Sequence, residues 1–213
     1  MTIQKSCPTC GSPSHQNCKL PRFILSTSGT SQSARELRTD LLLLTAMSHM
    51  GLGSFAATLD RSLNGLLSKK IADSGFSGKL GEHLLIDLKN LGHKRQSPSY
   101  ILLVGLGHPA DFSLRTACGL FRLSLDRAAE LGVRRLTIPF LTHRLTAERM
   151  NLRGTAAVLR CRVQERLSKP HQLGALEEIE ILCSPQAKRH VQQGLDIAGP
   201  LHSPCSDPRI CRS

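Results

Sequence analysis

The chain has 213 residues, of which 40% are hydrophobic, and it contains no run of 18 apolar residues. It can therefore bury one core, and it offers no segment that would span a membrane. The formal net charge of +12 favours anionic partners, nucleic acid among them, although one Tyr, six Phe and no Trp argue against platforms for base stacking.

The N-terminal segment MTIQKSCPTCGSPSHQNC is polar and rich in cysteine, unlike a secretory signal. Eight cysteines in a chain of this length are too few for a disulfide scaffold and suit reduced thiols or metal ligands. We therefore expect a cytoplasmic protein. Cys7, Cys10, His15 and Cys18 could form a tetrahedral zinc site with three thiolates and one imidazole. The alternative is a disordered tail without metal.

The first half of the chain alternates strand-like runs with a helical pattern. RFILS at 22–26 and DLLLLTAM at 40–47 are typical of strands in one sheet. Apolar residues then recur at helical spacing over 54–71, with Ser54 as the predicted N-cap. The two strand-like runs that follow are EHLLIDL and SYILLVGLG.

The second half repeats this alternation. Asp111 or Ser113 can cap a helix that ends at Gly132. Thr146 opens a helix rich in arginine, and Ser184 followed by proline begins the last helix. The strand-like runs of this half are VRRLTIPFL and LEEIEILCS. Strands that alternate with helices predict an α/β sheet covered on both faces.

The arginines of the second half have two interpretations. Arg149, Arg153 and Arg160 line up beside the apolar stripe of their predicted helix, because successive helical residues rotate by about 100°. Their stems could cover the core, or their charges could line a groove for nucleic acid.

A glycine turn, Gly105-Leu106-Gly107, follows one strand and precedes a helix. Such a turn can bring a phosphate to backbone N–H groups. The dinucleotide fingerprint needs a third glycine, and Ala110 stands in its place. The residues alone leave open a nucleotide-binding turn or a tight corner of the sheet, and Gly105, Gly107 and His108 are candidate ligand-binding residues.

Three motifs occur in order along the chain: Leu59-Asp60, the Phe-Ser-Gly-Lys-Leu-Gly turn at 76–81, and Val-Gly-Leu-Gly at 104–107. In this order they resemble the N-terminal domain of the leucine aminopeptidase family, with a match that covers roughly 22–195. In that family the Gly-Leu-Gly ends a central strand of a domain related in fold to macro domains. The resemblance favours the corner, and it implies a three-layer α/β/α sandwich around a mixed central sheet.

The catalytic domain of that family is missing from this sequence. Its hallmark Asn-Thr-Asp-Ala-Glu-Gly-Arg-Leu does not occur. The resemblance therefore implies a stand-alone, non-catalytic domain at 22–195 between tails at 1–21 and 196–213. Such a domain would act in assembly, regulation or ligand sensing, with a protein partner or a second copy. A truncated or partnered subunit of a metal-dependent leucyl aminopeptidase and a nucleic-acid-binding protein are alternatives.

A macro-type binder of ADP-ribose or another nucleotide phosphate is a further alternative. Macro domains use an Asn-rich segment with a Gly-rich loop after an early strand, and a second glycine-containing loop after a later one. This chain retains Gly51 and Gly53 but lacks the asparagines, and its second loop, IPFLTHRLTAERM, has no glycine. Gly51, Gly53 and Ser54 could still offer N–H groups to an anion and are candidate ligand-binding residues.

No catalytic residue is predicted. Histidines such as His108 lie near predicted strand ends, but no Ser, Cys or Asp stands at a spacing that defines a triad. Glu177, Glu178 and Glu180 are interpreted as solvated positions around a strand. The cysteines expected to be buried structural thiols are Cys118, Cys161 and Cys183.

Overall fold

The computed structural model describes residues 20–27, 37–89, 98–139, 152–167 and 173–197. The strands are β1 (Arg22–Ser26), β2 (Leu41–Ala46), β3 (His83–Asp87), β4 (Tyr100–Gly105), β5 (Arg135–Pro139) and β6 (Glu178–Leu182). The helices are α1 (Ser54–Ser62), α2 (Leu66–Ser74), α3 (Leu114–Glu130), α4 (Leu152–Leu167) and α5 (Pro185–Leu195), with a short 3₁₀ helix at Pro109–Asp111. No helix within these ranges has the length and apolarity needed to cross a membrane.

The six strands form one mixed sheet in the order β1-β6-β5-β2-β4-β3. All neighbours are parallel except β3, which runs antiparallel to β4 at one edge. The central strand β2 carries four successive leucines, and each of them is buried. A continuous apolar run is expected in a strand covered on both faces, because side chains alternate between the two.

Helices cover the sheet on both sides. Leu42 and Leu44 of β2 pack in one cluster with α1 and α2. Leu41 and Leu43 pack in the other cluster, with α3, α4 and α5. The result is the three-layer α/β/α sandwich with a mixed sheet that the sequence predicts.

The helix predicted over 54–71 is divided in two. Asn64 and Gly65 have positive φ angles of 55° and 78°, which no helix accommodates, so α1 ends before them and α2 begins after them. The predicted N-cap is also wrong by one residue: Gly53 is the N-cap and Ser54 is the first residue of α1.

The other helix boundaries follow their predicted signals. Ser113 caps α3 by accepting a hydrogen bond from the N–H of Thr116, and Gly132 follows the helix at a φ of 61°. Ser184 caps α5 with a proline in the first turn. Thr146, the predicted start of the arginine-rich helix, lies outside the described residues, and α4 is described from Leu152.

The expectation that Glu178 is solvated is wrong. It is 7% exposed and lies between two arginines on neighbouring strands, Arg22 at 3.1 Å and Arg135 at 2.7 Å. The register of the parallel strands places both arginines directly beside it. Sequence reasoning could not find this ion-pair ladder because its members are far apart along the chain. The cysteines at 118, 161 and 183 are buried, as predicted.

Candidate ligand-binding cleft

A cleft of about 160 Å³ opens at the carboxyl ends of β2 and β5. The helix that follows β2 is α1, on one face of the sheet, and the next described element after β5 is α4, on the opposite face. Neighbouring strands whose connections leave toward opposite faces form a topological switch point, where open α/β sheets bind their ligands. The residues used below line this cleft: Thr45, Met50, Gly51, Gly53, Ser54 and Phe55.

The N-terminus of α1 forms one wall of the cleft. Gly53 is the N-cap and supplies no side-chain hydrogen bond, while its carbonyl oxygen accepts the N–H of Ala57 at 2.8 Å. The first N–H groups of a helix have no partner within the helix. Together with the positive end of the helix dipole, they offer donors and positive potential to an anion.

Two glycines keep this wall open. A Cβ atom at Gly51 or at Gly53 would meet no atom within 4 Å, and Gly53 has an ordinary φ of −60°. Packing therefore leaves room for a larger side chain at both positions, and at position 53 the backbone conformation would also allow one. Of the candidate ligand-binding residues, Gly51, Gly53 and Ser54 are among those that line the cleft.

The Gly105-Leu106-Gly107 turn has a different role, because all three of its N–H groups are engaged. They donate to the carbonyl oxygens of Glu82, Ala46 and Gly78 at 2.8, 2.9 and 3.0 Å. A Cβ atom at Gly105 would lie 2.1 Å from the carbonyl oxygen of Lys79, and Gly107 has a φ of 76°. These glycines allow close packing against the 76–81 turn, which is the corner interpretation.

His108 is exposed beside this corner. Its Nδ1 accepts the N–H of Ala110 at 3.2 Å, which caps the 3₁₀ helix. It is not among the described residues that line the cleft.

Carboxylates organise the two motifs that precede the corner. Asp60 accepts the N–H groups of Leu67 and Ser68, so it caps α2 from the end of α1. Glu82 accepts the N–H groups of Ser77 at 2.9 Å and Lys79 at 3.1 Å across the 76–81 turn. The backbone hydrogen bond from Ser77 lowers the pKa of Glu82 most, because it stabilises the charged form.

A buried arginine was not anticipated from the sequence. Arg162 of α4 is 4% exposed, and its Nε and Nη2 donate to the Sγ of Cys118 at 3.0 and 2.8 Å. Burial acts to lower the pKa of Arg162, but hydrogen bonds to Glu165 and Cys118 outweigh it and raise the pKa. The sequence carries little signal for this cluster, because Cys118 and Arg162 lie on different helices.

The candidate zinc ligands Cys7, Cys10, His15 and Cys18 lie outside the described residues. Among the residues that the structure does describe, no group of three or more His, Cys, Asp or Glu side chains is placed to hold a metal ion.

Comparison with known proteins adds a family. A model of the N-terminal domain of the cytosol aminopeptidase family matches residues 49–160. A probable cytosol aminopeptidase of Thermosynechococcus vestitus is 43% identical over 82 residues, covering 36% of this chain and 16% of that protein. The neutral chloroplastic leucine aminopeptidase of Solanum lycopersicum is 26% identical over 146 residues, which cover 65% of this chain and 25% of that protein. The chain spans a quarter or less of the length of the curated relatives it matches.

Solved structures share the fold. A tomato leucine aminopeptidase mutant superposes with a TM-score of 0.63 at 21% identity, covering 85% of this chain and 37% of that one. A Trypanosoma brucei macrodomain in complex with ADP-ribose superposes with a TM-score of 0.62 at 17% identity, and the match covers 84% of this chain and 71% of that one. The fold is therefore macro-like as well as aminopeptidase-like.

Proposed function

Because the chain belongs to the cytosol aminopeptidase family through its N-terminal domain, we propose that it is a non-catalytic regulatory module that senses a phosphate-bearing ligand at the switch-point cleft. The observation that carries the proposal is the uncapped N-terminus of α1, which opens into the cleft beside two glycines. The roles of residues in and beside the three motifs support the non-catalytic part. Asp60 caps α2, Gly105 allows close packing at the corner, and Glu82 holds the 76–81 turn.

The lining of the cleft suits a nucleotide phosphate. Backbone N–H groups at a helix N-terminus bind phosphate oxygens, and the hydroxyls of Thr45 and Ser54 can donate further hydrogen bonds. Met50 and Phe55 are half-buried in the lining and offer apolar surface to a ring. ADP-ribose, the ligand held by the Trypanosoma brucei macrodomain of the same fold, combines these two chemistries.

A titration of the purified full chain with ADP-ribose, ADP and inorganic phosphate, followed by thermal unfolding, tests this proposal. A ligand that binds the native state raises stability by about 2.7 kcal/mol at a concentration a hundred times its Kd. We expect a saturable rise with ADP-ribose or ADP and a smaller one with phosphate. Adenosine, which lacks phosphate, is the negative control.

Two substitutions at Gly53 give a matched pair. Gly53→Glu places a negative charge at the anion site, and Gly53→Gln places a neutral side chain of the same shape there, in open space. The ligand-induced rise should vanish in Gly53→Glu and persist in weakened form in Gly53→Gln. An equal rise in both variants would place the ligand elsewhere.

Assembly is the second candidate function, and exposed leucines favour it. Leu80, in the 76–81 turn, is 66% exposed and Leu85, on the edge strand β3, is 38% exposed. Large apolar side chains gathered at one exposed edge are typical of interaction surfaces. A partner chain of a metal-dependent leucyl aminopeptidase is one context in which such a surface would serve.

A further inference from the structure

A second hollow, the α3 groove, lies beside the corner and has only Leu106 in common with the described lining of the cleft. It has a volume of about 610 Å³ and runs between α3 and the β3–β4 edge of the sheet. Arg115, Gly119, Arg122 and Asp126 line it from one face of α3. These positions follow one another at intervals of three or four residues, which places them in a row along the helix.

The groove exists because the sheet extends beyond the helical layer. Leu84 and Ile86 of β3 pack toward α1 and α2. His83 and Leu85 alternate with them, and both are exposed on the side of α3. The edge strand thus forms a step beside α3, and the step is partly apolar.

Gly119 lines the groove without a side chain, so the surface of α3 is recessed at this position. It stands in the middle of α3, where glycine destabilises a helix relative to alanine. A Cβ atom there would meet nothing within 4 Å, so no neighbouring group requires its absence. A glycine that packing does not demand leaves space in the groove for another molecule.

Leu80 stands at the mouth of the groove on a turn held by hydrogen bonds. Glu82 accepts two backbone N–H groups of that turn, and the carbonyl oxygen of Gly78 accepts the N–H of Gly107 at 3.0 Å. The exposed leucine is therefore presented in a fixed position, where it would lose little conformational entropy on binding.

The charges in the groove identify its ligand class. Arg115 and Arg122 are exposed in its lining, and among the described lining residues Asp126 supplies the one carboxylate, which pairs with Arg166. We propose that the groove binds a segment of a partner protein in which leucines alternate with acidic residues. Its apolar groups would pack on Leu80, and one of its carboxylates would pair with Arg115, which is exposed in the first turn of α3. Nucleic acid fits less well because the described residues that line the groove include no Phe, Tyr or Trp on which bases could stack.

This inference rests on the assembly candidate and is independent of the switch-point cleft. Its test uses a fluorescein-labelled peptide of alternating leucine and glutamate, with anisotropy measured on the full chain. A leucine–lysine peptide and a thymidine oligonucleotide are the competitors. We expect saturable binding of the leucine–glutamate peptide and displacement by neither competitor.

Four variants locate the site. Gly119→Leu fills the groove from a position with open space, Leu80→Ser removes the apolar anchor, and Arg115→Glu reverses a charge in the first turn of α3, where the helix dipole favours an acid. Each should weaken peptide binding about tenfold or more. Gly119→Ala adds one methyl group to the same open wall and should retain affinity within about twofold.

Gly53→Glu separates the two proposals, because it alters the cleft and should leave peptide affinity unchanged. The inference is overturned if the peptide does not bind, or if Gly119→Leu and Leu80→Ser bind it as the parent chain does. Oligonucleotide binding that depends on Arg115 but not on Leu80 would also overturn it, in favour of a nucleic-acid surface.

Discussion

The carboxylate of Asp60 accepts the backbone N–H of Leu67 at 2.8 Å, so the last turn of α1 caps the first turn of α2. The second carboxylate oxygen accepts a hydrogen bond from the hydroxyl of Ser68. Asp60 is buried, and the bond joins two helices that are separated by a turn with Asn64 and Gly65 at positive φ. The Leu-Asp pair of the family motif therefore has a structural role in this chain.

Asp60→Ala should destabilise the chain by about 1–2 kcal/mol, because it removes a helix cap and leaves N–H groups without an acceptor. Urea unfolding followed by circular dichroism measures the change. Asp60→Asn keeps one acceptor oxygen and should lose less. Equal losses in the two variants would show that the cap contributes little.

Two glycines should respond to alanine in opposite ways. Gly105→Ala brings a Cβ atom to 2.1 Å from the carbonyl oxygen of Lys79, and the backbone must shift to relieve the overlap. We expect a loss of about 1–3 kcal/mol or more. In Gly119→Ala the new methyl group meets open space, and alanine favours the helix over glycine. This variant should therefore be more stable than the parent chain by at most about 1 kcal/mol. Thermal unfolding of both variants measures these changes. If Gly105→Ala were as stable as the parent chain, the structural role of the glycine corner would be contradicted.

The 76–81 turn should lose stability in acid through Glu82. The folded state lowers the pKa of this carboxylate, first through the backbone hydrogen bond from Ser77. A lowered pKa contributes stability that is present above the unfolded value of about 4.3 and is lost as the pH falls through the folded value. Glu82→Gln should therefore be less stable than the parent chain at neutral pH.

The difference between the Glu82→Gln variant and the parent chain should shrink as the pH is lowered below about 4. Urea midpoints of both proteins across the acid range provide the measurement. A difference that does not change with pH would mean that the carboxylate's charge has no part in holding the turn.

Removing the sulfur acceptor of Arg162 should be costly. Cys118→Ala leaves the buried guanidinium without the acceptor that its Nε and Nη2 now share, and the expected loss is about 1–3 kcal/mol. Cys118→Ser keeps an acceptor and should lose less. Denaturant unfolding compares the two, and a serine variant no better than alanine would contradict this account.

Local patterns were sufficient to predict most of the fold. The leucine run of β2 predicts a strand buried on both faces, and Ser113 and Gly132 mark the ends of α3. The break at Asn64-Gly65 also carried a local signal, since this dipeptide favours turns. Because apolar residues recur at helical spacing on both sides of this dipeptide, the pattern predicts one continuous helix over 54–71.

Features that depend on distant residues could not be predicted. The burial of Glu178 depends on arginines from β1 and β5, and that of Arg162 depends on a thiol on another helix. Two residues that line the cleft, Gly51 and Gly53, could be named from the sequence, because glycines before a helix can leave its first N–H groups open to an anion. The α3 groove escaped prediction because it arises from the extent of the sheet beyond its helices.

The most direct test of the anion site is a titration of the ¹⁵N-labelled full chain with ADP, followed by amide correlation spectra. The account predicts saturable shifts at the amides of Gly53, Ser54 and Phe55, since these lie at the N-terminus of α1 in the cleft. The amides of Gly105 and Gly107 donate to carbonyl oxygens and should move less. Shifts that avoid the start of α1, or that centre on Gly105 and Gly107, would contradict the proposed site.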